Sequence, residues 1–340
     1  MKQLDILIPF ALPPAEMARD LLRQAHAPAL AMLLGRGKAA APAQTHDPFA
    51  RALPHEHWLT RRFGLPATAV DNSPAAAAAL LRSFGHDPDG GHWFVLHPAH
   101  IHVARDHLVL TDIAQLDLDE AQSRALFASA EPLVTELGHG FLYGDARTWF
   151  LRADAWAGLR TSTPTAASGR NIDIWMPEGP GELPWRKLQN EVQMQWFSDA
   201  LNEDREMRGL KAVNSIWLWG GADHAIGHAS GTSDNAWART LTPAPDGTAE
   251  QPIEAAGLAP LLVANGLTEA ALAEEWGIWL DRLATLDGAL LAPRLQSLRD
   301  GEIDQIRLIL TGADRLREYG ATRGALRRFW AQPSLSGLKP

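Results

Sequence analysis

The chain alternates between short apolar segments and longer segments in which apolar residues recur at helical spacing. This alternation restricts the fold more than any other feature. Residues 4–10 predict a buried strand, because the segment is short, apolar and interrupted by proline. Helical segments follow at 14–34, 53–63 and 73–84. Strands that alternate with helices are typical of α/β proteins with a largely parallel sheet, and we predict that class.

A second pattern begins near residue 91. Two pairs of strand-like segments flank a helical segment with acidic residues in its first turn. We predict a compact α+β lobe at 91–155, inserted into a larger domain. The total of 340 residues fits two domains, or one domain with an insertion.

Composition excludes several classes of function. The chain has no cysteine, which rules out disulfides, thiolate-bound zinc, iron–sulfur clusters and thiol catalysis. A net charge of −9 argues against nucleic-acid binding. No apolar run approaches the roughly 18 to 20 residues of a membrane span, and the first residues lack a signal-peptide core. We expect a cytoplasmic protein with no nucleic-acid or membrane partner.

Six histidines fall between residues 86 and 107. His100 and His102 lie two apart on a predicted strand and would face the same side, so they are candidate metal ligands. His107 or Asp112 would supply a third ligand. The alternative is that these histidines decorate an exposed hairpin, and we expect no metal or other cofactor.

A long loop at 161–184 is rich in proline, glycine, serine and threonine. Arg160, Arg170 and Arg186 surround it, and guanidinium groups beside hydroxyls suit a phosphate or carboxylate ligand. The alternative is that the loop is anchored internally by its own acidic residues, which are Asp173, Glu178 and Glu182.

Polar residues also flank a strand predicted at 213–219. Ligands of open α/β folds bind at the carboxyl ends of strands, and this strand carries Trp217 and Trp219 and ends at Gly220. The alternative is helix capping and a tryptophan core. The polar residues concerned are Asn202, Arg205, Arg208 and Asn214.

The stretch 202–221 contains Asn-Glu-Asp-Arg, then Arg-Gly, then Val-Asn-Ser-Ile-Trp-Leu-Trp-Gly-Gly. It resembles a proteobacterial family described either as RpfE-type regulatory proteins or as cofactor-independent phosphoglycerate mutases. Further matches lie at 93–110, 149–152, 169–179 and 286–330. His97 stands where the family more often has an acidic residue.

That family is similar in turn to archaeal-type phosphoglycerate mutases of the alkaline phosphatase superfamily. The resemblance implies an alkaline-phosphatase-like, doubly wound sheet as the core. This core would be discontinuous, formed by residues 1–90 and 220–340, with the inserted lobe at 91–155 and the motifs at 156–219.

The chain departs from those mutases where their catalytic groups lie. Their first strand ends in Pro-Asp-Gly with a metal-binding aspartate, whereas this chain has Pro9-Phe10-Ala11. Their late strand ends in Asp-His, whereas this chain reads Thr-Gly-Ala-Asp at 311–314. Phe10, Gly312 and Ala313 have no side chain that ligates a metal. Ser73 is a weak candidate for the nucleophile, since its surroundings differ from the family pattern.

The resemblance therefore implies a regulatory or small-anion-binding protein, derived from a phosphoglycerate mutase whose catalytic metal centre is lost. The alternative is an active mutase or a related phosphotransferase or phosphohydrolase, so enzymatic activity stays an open question, as do protein partners. A phosphorylated or carboxylate ligand would contact Arg170, Asn202, Arg205, Asn214, Trp217 and Trp219.

Seven of the 13 tryptophans lie between residues 149 and 219. They would line a site or pack a core, and we favour the core for most of them.

Overall fold

A computed structural model describes residues 2–66, 71–226, 231–241 and 251–339, with the backbone alone for 231–235. The chain forms two units. Residues 1–48 and 236–340 make up one, here called the terminal unit, and residues 49–235 make up the other, the central unit. The boundaries differ from the predicted ones, because residues 49–90 belong with the central unit rather than with the chain ends.

The described strands are short, with at most nine residues each. In chain order they are β1 (Gln3–Ile8), β2 (Lys38–Ala39), β3 (Gln44–Thr45), β4 (His92–Ala99), β5 (Ile101–Ala104), β6 (His107–Leu110), β7 (Gly140–Tyr143), β8 (Trp149–Arg152), β9 (Ser215–Asp223), β10 (Leu261–Val263), β11 (Gln305–Thr311) and β12 (Arg315–Thr322).

The helices are longest in the central unit. In chain order they are α1 (Ala15–Gln24), α2 (Pro28–Arg36), α3 (Pro54–Arg62), α4 (Ala77–Ser83), α5 (Glu120–Glu136), α6 (Pro164–Ala167), α7 (Glu182–Phe197), α8 (Ala200–Met207), α9 (Gly231–Leu241), α10 (Thr268–Leu272), α11 (Trp276–Leu286), α12 (Ala292–Asp300) and α13 (Arg323–Leu326).

The sheet of the terminal unit has the order β10-β1-β11-β12-β2, with β3 also paired to β12. Strand β1 lies between β10 and β11 and is parallel to both, so that Ile6 pairs with Leu262 on one side and with Leu308 on the other. Strand β12 is antiparallel to β11. Parallel strands joined through helices confirm the α/β class, although this sheet is mixed.

The sheet of the central unit has the order β7-β8-β4-β9, and every neighbouring pair is antiparallel. The α+β lobe predicted in this region is thus built from antiparallel pairs, and the parallel strands of the α/β class lie in the terminal unit. The reason is local, since β7 and β8 form a hairpin through a short turn and β4 pairs with β8 and β9 on its two sides. One face of the sheet packs in a core that includes Phe94, Leu96 and Leu218.

All seven tryptophans between residues 149 and 219 are at most 5% exposed. Trp149, Trp185 and Trp196 lie in the core of the central unit, and the Trp149 and Trp196 rings meet edge to face at 6.1 Å between centroids. Their burial agrees with the core interpretation of the local tryptophan excess.

The sequence of residues 184–208 predicts a single helix, whereas the structure has two. Helix α7 ends at Phe197, and the side chain of Asp199 accepts a hydrogen bond from the backbone N–H of Leu201 at 2.9 Å, which caps the start of α8. The chain thereby turns before the motif residues. None of the described helices is long and apolar enough to cross a bilayer.

Candidate functional site

Three consecutive hydroxyl side chains, at residues 161–163, join the predicted ligand loop to an earlier part of the central unit. Each of them is at most 1% exposed. Thr161 meets the hydroxyl of Ser73 at 2.7 Å, Ser162 accepts a hydrogen bond from Arg51 at 2.9 Å, and Thr163 donates to Glu56 at 2.8 Å. The loop is therefore held at three successive positions by side chains from three places in 51–73.

Ser73 lies beside β9, the strand that carries the motif, at Gly220; the strand was predicted to end there but continues to Asp223. The Oγ of Ser73 accepts a hydrogen bond from the backbone N–H of Gly220 at 2.9 Å, and the Ser73 N–H donates to the Thr161 carbonyl at 2.8 Å. Within the described ranges, no histidine, aspartate or glutamate side chain hydrogen-bonds Ser73 Oγ. A serine nucleophile needs an adjacent base or a metal to activate it. The geometry supports an anchoring hydroxyl, and the nucleophile assignment stays a prediction.

The arginines near the loop are engaged with its acidic residues. Buried Arg51 contacts Glu178 at 2.9 Å and also donates to the Met176 carbonyl at 3.0 Å. Arg160 reaches the same Glu178 carboxylate at 3.1 Å and Asp71 at 2.7 Å. Burial lowers the pKa of Arg51, while the charge of Glu178 opposes that shift. These contacts correspond to the loop-anchoring alternative.

Arg170 and Arg186 differ from that pair. Arg186 forms an ion pair with Glu182, one turn away on α7, at 3.1 Å. Arg170 is half-buried, and its guanidinium carbon lies 5.3 Å from the centroid of the Trp175 ring, a cation–π arrangement. Of the three arginines predicted around the loop, Arg170 is thus the one whose guanidinium lies over an aromatic ring.

Arg51 and Glu56 lie at the centre of this network, although neither was predicted from the sequence. Glu56 occupies the third position of α3, where its carboxylate accepts the Leu53 N–H at 2.6 Å, half of a capping box. Burial raises the pKa of Glu56 from 4.5 to about 7, against the opposing effect of its hydrogen bonds. A glutamate two residues after proline was a detectable signal for the cap, but nothing local indicated Thr163 as its partner.

Asn202 links the end of α7 to the start of β9. Its Nδ2 donates to the carbonyl groups of Trp196 and Val213, both at 2.9 Å, and its Oδ1 accepts the Val213 N–H at 2.7 Å. Asn214 makes a similar two-way pair with the backbone of Ile101, at 2.8 Å in each direction. Both amides thus satisfy backbone groups that no strand partner reaches.

Arg205 is completely buried. Its Nε donates to the Lys211 carbonyl at 2.9 Å and its Nη1 to Gln122 at 2.6 Å, while Nη2 binds the carbonyl of Leu116. Desolvation lowers the pKa of this guanidinium. The planar guanidinium of Arg205 binds several backbone carbonyl groups and thereby connects the segment around residue 116 to the turn after α8.

Trp217 and Trp219 have different surroundings on β9. The indole N–H of Trp217 donates to the Ser162 carbonyl at 2.9 Å. Trp219 stacks on His97 at 6.0 Å between ring centroids, and its buried indole N–H has no acceptor among the described residues. Of the two indole N–H groups on this strand, that of Trp219 is the one without a hydrogen-bond acceptor in the described part of the chain.

The two candidate metal ligands lie side by side. The rings of His100 and His102 stack at 5.5 Å, and Nδ1 of His100 lies 2.8 Å from the Ala212 carbonyl. His107 contacts Asp106 instead. In the part of the chain that the structure describes, no three histidine, aspartate or glutamate residues are grouped to hold a metal ion.

The carboxyl edge of β10, β1 and β11 is where an open α/β sheet places its ligands. Here it is closed by Phe10, Ala11 and Leu12, which are at most 6% exposed. The Leu12 N–H donates to the Thr311 carbonyl at 2.9 Å, and a Cβ on Gly312 would lie 2.7 Å from the Leu12 carbonyl. These side chains do not fit the two metals of the mutases, because none of them offers a ligand atom.

Comparison with known proteins yields a shared fold. No family model matches the chain, and no curated protein matches it. Among solved structures, the PH0037 protein of Pyrococcus horikoshii has a TM-score of 0.50, with 12% sequence identity over 94% of this chain and 87% of that one. At that identity the similarity shows the fold alone.

A cofactor-independent phosphoglycerate mutase from Thermoplasma acidophilum aligns with 98% of this chain and 93% of its own, at 15% identity. Its TM-score of 0.41 is too low to establish a common fold.

Proposed function

We propose that this chain is a non-catalytic regulatory or ligand-binding protein, descended from a phosphoglycerate-mutase-like enzyme with the alkaline-phosphatase architecture. The observation that supports the proposal is the closed carboxyl edge of β10, β1 and β11. A phosphate and two metals need polar ligands there, whereas Phe10 and Leu12 fill the edge with apolar atoms. The indole N–H of Trp279 donates to the Phe10 carbonyl at 2.9 Å, which holds this segment in place.

The regulatory role would be exercised through a small anionic ligand bound in the motif region. Asn202, Arg205 and Asn214 would act by positioning, since their polar atoms are engaged with the backbone. Arg170 and Trp219 would make the direct contacts, through a guanidinium on an aromatic face and an indole N–H without an internal acceptor. An anion gains most from such a partly buried arginine.

A coupled mutase assay with added magnesium or manganese tests the loss of catalysis. We expect no conversion of 3-phosphoglycerate above the blank. The competing function, an active mutase or phosphohydrolase, is favoured by the hydroxyl of Ser73, which lies against the motif strand β9 at Gly220. Turnover that disappears in Ser73→Ala, with the variant still folded, would establish that alternative and overturn the proposal.

Titration with 3-phosphoglycerate, followed by thermal shift, tests the anion site. We expect Arg170→Gln to lower the apparent affinity for 3-phosphoglycerate at least about tenfold, because one charge-assisted hydrogen bond is lost. Arg208→Gln is the matched control, because Arg208 is an exposed arginine paired with Asp204 on α8. Equal responses in the two variants would remove Arg170 from the site.

A further inference from the structure

A cleft with a volume of about 560 Å³ lies at the amino-terminal edge of the same parallel strands, in the terminal unit. The start of β1, the segment that leads into β10 and the connection from α12 to β11 form its walls. The volume lies within the range of small-molecule sites. Leu4, Leu258 and Ile303 give it an apolar lining.

Arg294, on α12, faces this cleft. Its Nε is shielded from solvent, and the guanidinium has no hydrogen bond or ion pair with any residue that the structure describes. A buried donor without an acceptor costs free energy, and native structures seldom leave one without a reason. A ligand carboxylate would satisfy Nε and one Nη together.

The other charged residues of the cleft define the ligand more narrowly. Lys2, Glu254 and Glu302 join Arg294 around it, two cations and two carboxylates. Over the described ranges none of the four forms an ion pair. A phosphate would meet repulsion from the two glutamates, whereas a ligand with both an ammonium and a carboxylate complements both signs.

We propose that this cleft binds a small zwitterion with an apolar body, a leucine-type amino acid or short peptide. The ligand carboxylate pairs with Arg294, its ammonium lies against Glu254 and Glu302, and its side chain contacts Leu4 and Ile303. The site is distinct from the anion site proposed above, whose residues belong to the central unit.

Calorimetric titration of the full chain with three matched ligands tests the charge requirement. L-leucine carries both charges, 4-methylpentanoate lacks the ammonium, and 3-methylbutylamine lacks the carboxylate. We expect leucine or leucyl-leucine to bind, and each single-charge analogue to bind at least about tenfold more weakly. Absence of binding by leucine and by leucyl-leucine at millimolar concentration overturns the proposal, as does equal binding of the three matched ligands.

Variants locate the site. We expect Arg294→Gln and Glu302→Gln each to weaken leucine binding at least about tenfold. Arg299→Gln is the control, since it makes the same change on an exposed arginine of the same helix outside the cleft. Leucine binding that is unchanged in Arg294→Gln overturns the assignment. The three-ligand comparison uses the unmodified chain, so it holds even if a variant fails to fold. Loss of the 3-phosphoglycerate response in Arg170→Gln alone would leave this site unaffected.

Discussion

The buried carboxylate of Glu56 accepts a hydrogen bond from the hydroxyl of Thr163 at 2.8 Å, although the two residues are 107 positions apart. The same carboxylate caps its own helix through the Leu53 N–H. A single side chain therefore joins the start of α3 to the loop that carries the conspicuous hydroxyl residues.

The Glu56 carboxyl makes stability depend on pH. Its pKa is raised from 4.5 to about 7, so between those values the folded state keeps a proton that the unfolded chain releases. The contribution of Glu56 to the free energy of unfolding therefore falls as pH rises from 4.5 to 7, by on the order of 3 kcal/mol, and is constant above 7. Glu56→Gln cannot ionise and should gain stability relative to the parent as pH rises.

Urea unfolding across that window measures this difference. Glu136→Gln, an exposed glutamate at the end of α5, is the control for the amide substitution. A difference between Glu56→Gln and the parent that stays constant with pH would contradict the assignment.

We expect Arg205 to contribute mainly to folding stability and to affect ligand binding only through the fold. Arg205→Ala removes donors from the carbonyl groups of Leu116 and Lys211 and should cost at least about 3 kcal/mol in denaturant unfolding. Arg208→Ala, directly after the same helix and exposed, should stay within about 0.5 kcal/mol of the parent. Unchanged stability with lost 3-phosphoglycerate binding would make Arg205 a direct ligand contact instead.

Ser73→Ala should destabilise the central unit by about 1 to 3 kcal/mol, because the Gly220 N–H is left buried without its acceptor. Ser83→Ala is the comparison, since the Ser83 hydroxyl donates only to the Leu80 carbonyl of its own helix. We expect a change of about 0.5 kcal/mol or less there. Equal thermal stability of the two variants would show that Ser73 does not anchor the motif strand.

A comparison of Gly220 with Gly209 separates the backbone cost of adding a side chain from its steric cost. Both have a left-handed backbone, with φ of 72° and 74°, but a Cβ on Gly220 would lie 2.9 Å from the Ala76 Cβ, whereas one on Gly209 meets nothing within 4 Å. Gly209→Ala should cost about 1 to 2 kcal/mol for the backbone alone. Gly220→Ala should cost at least about 1 kcal/mol more, measured by chemical denaturation. A smaller cost at Gly220 would mean that α4 shifts to make room.

Features with a local cause were predictable. The strand predicted at 4–10 is β1, and the helical segment predicted at 53–63 is α3. The helical segment predicted between the two pairs of strand-like segments is α5, and the Asp119 side chain caps it by accepting the Gln122 N–H at 2.8 Å. Apolar spacing, turn residues and caps act over a few residues, so the local sequence is enough to predict the elements that depend on them.

The site residues show the opposite case. Asn202, Arg205 and Asn214 were identified by type and spacing, and their roles as ligand contacts are still predictions. The partners of their side chains, such as Leu116 for Arg205 and Ile101 for Asn214, lie about 90 and 113 positions away. A pattern of residue types does not specify which distant backbone group will need a hydrogen bond.

The sequence by itself determined the α/β class, the buried first strand and the absence of thiol chemistry, because these follow from composition and short-range patterning. Only the tertiary structure decided where the two units divide, that β9 joins β4 in the central sheet, and that Ser73 and Glu56 hold the loop after residue 160. Those outcomes depend on pairing between segments far apart in the chain, where burial and hydrogen bonding select one partner among many that local sequence allows equally.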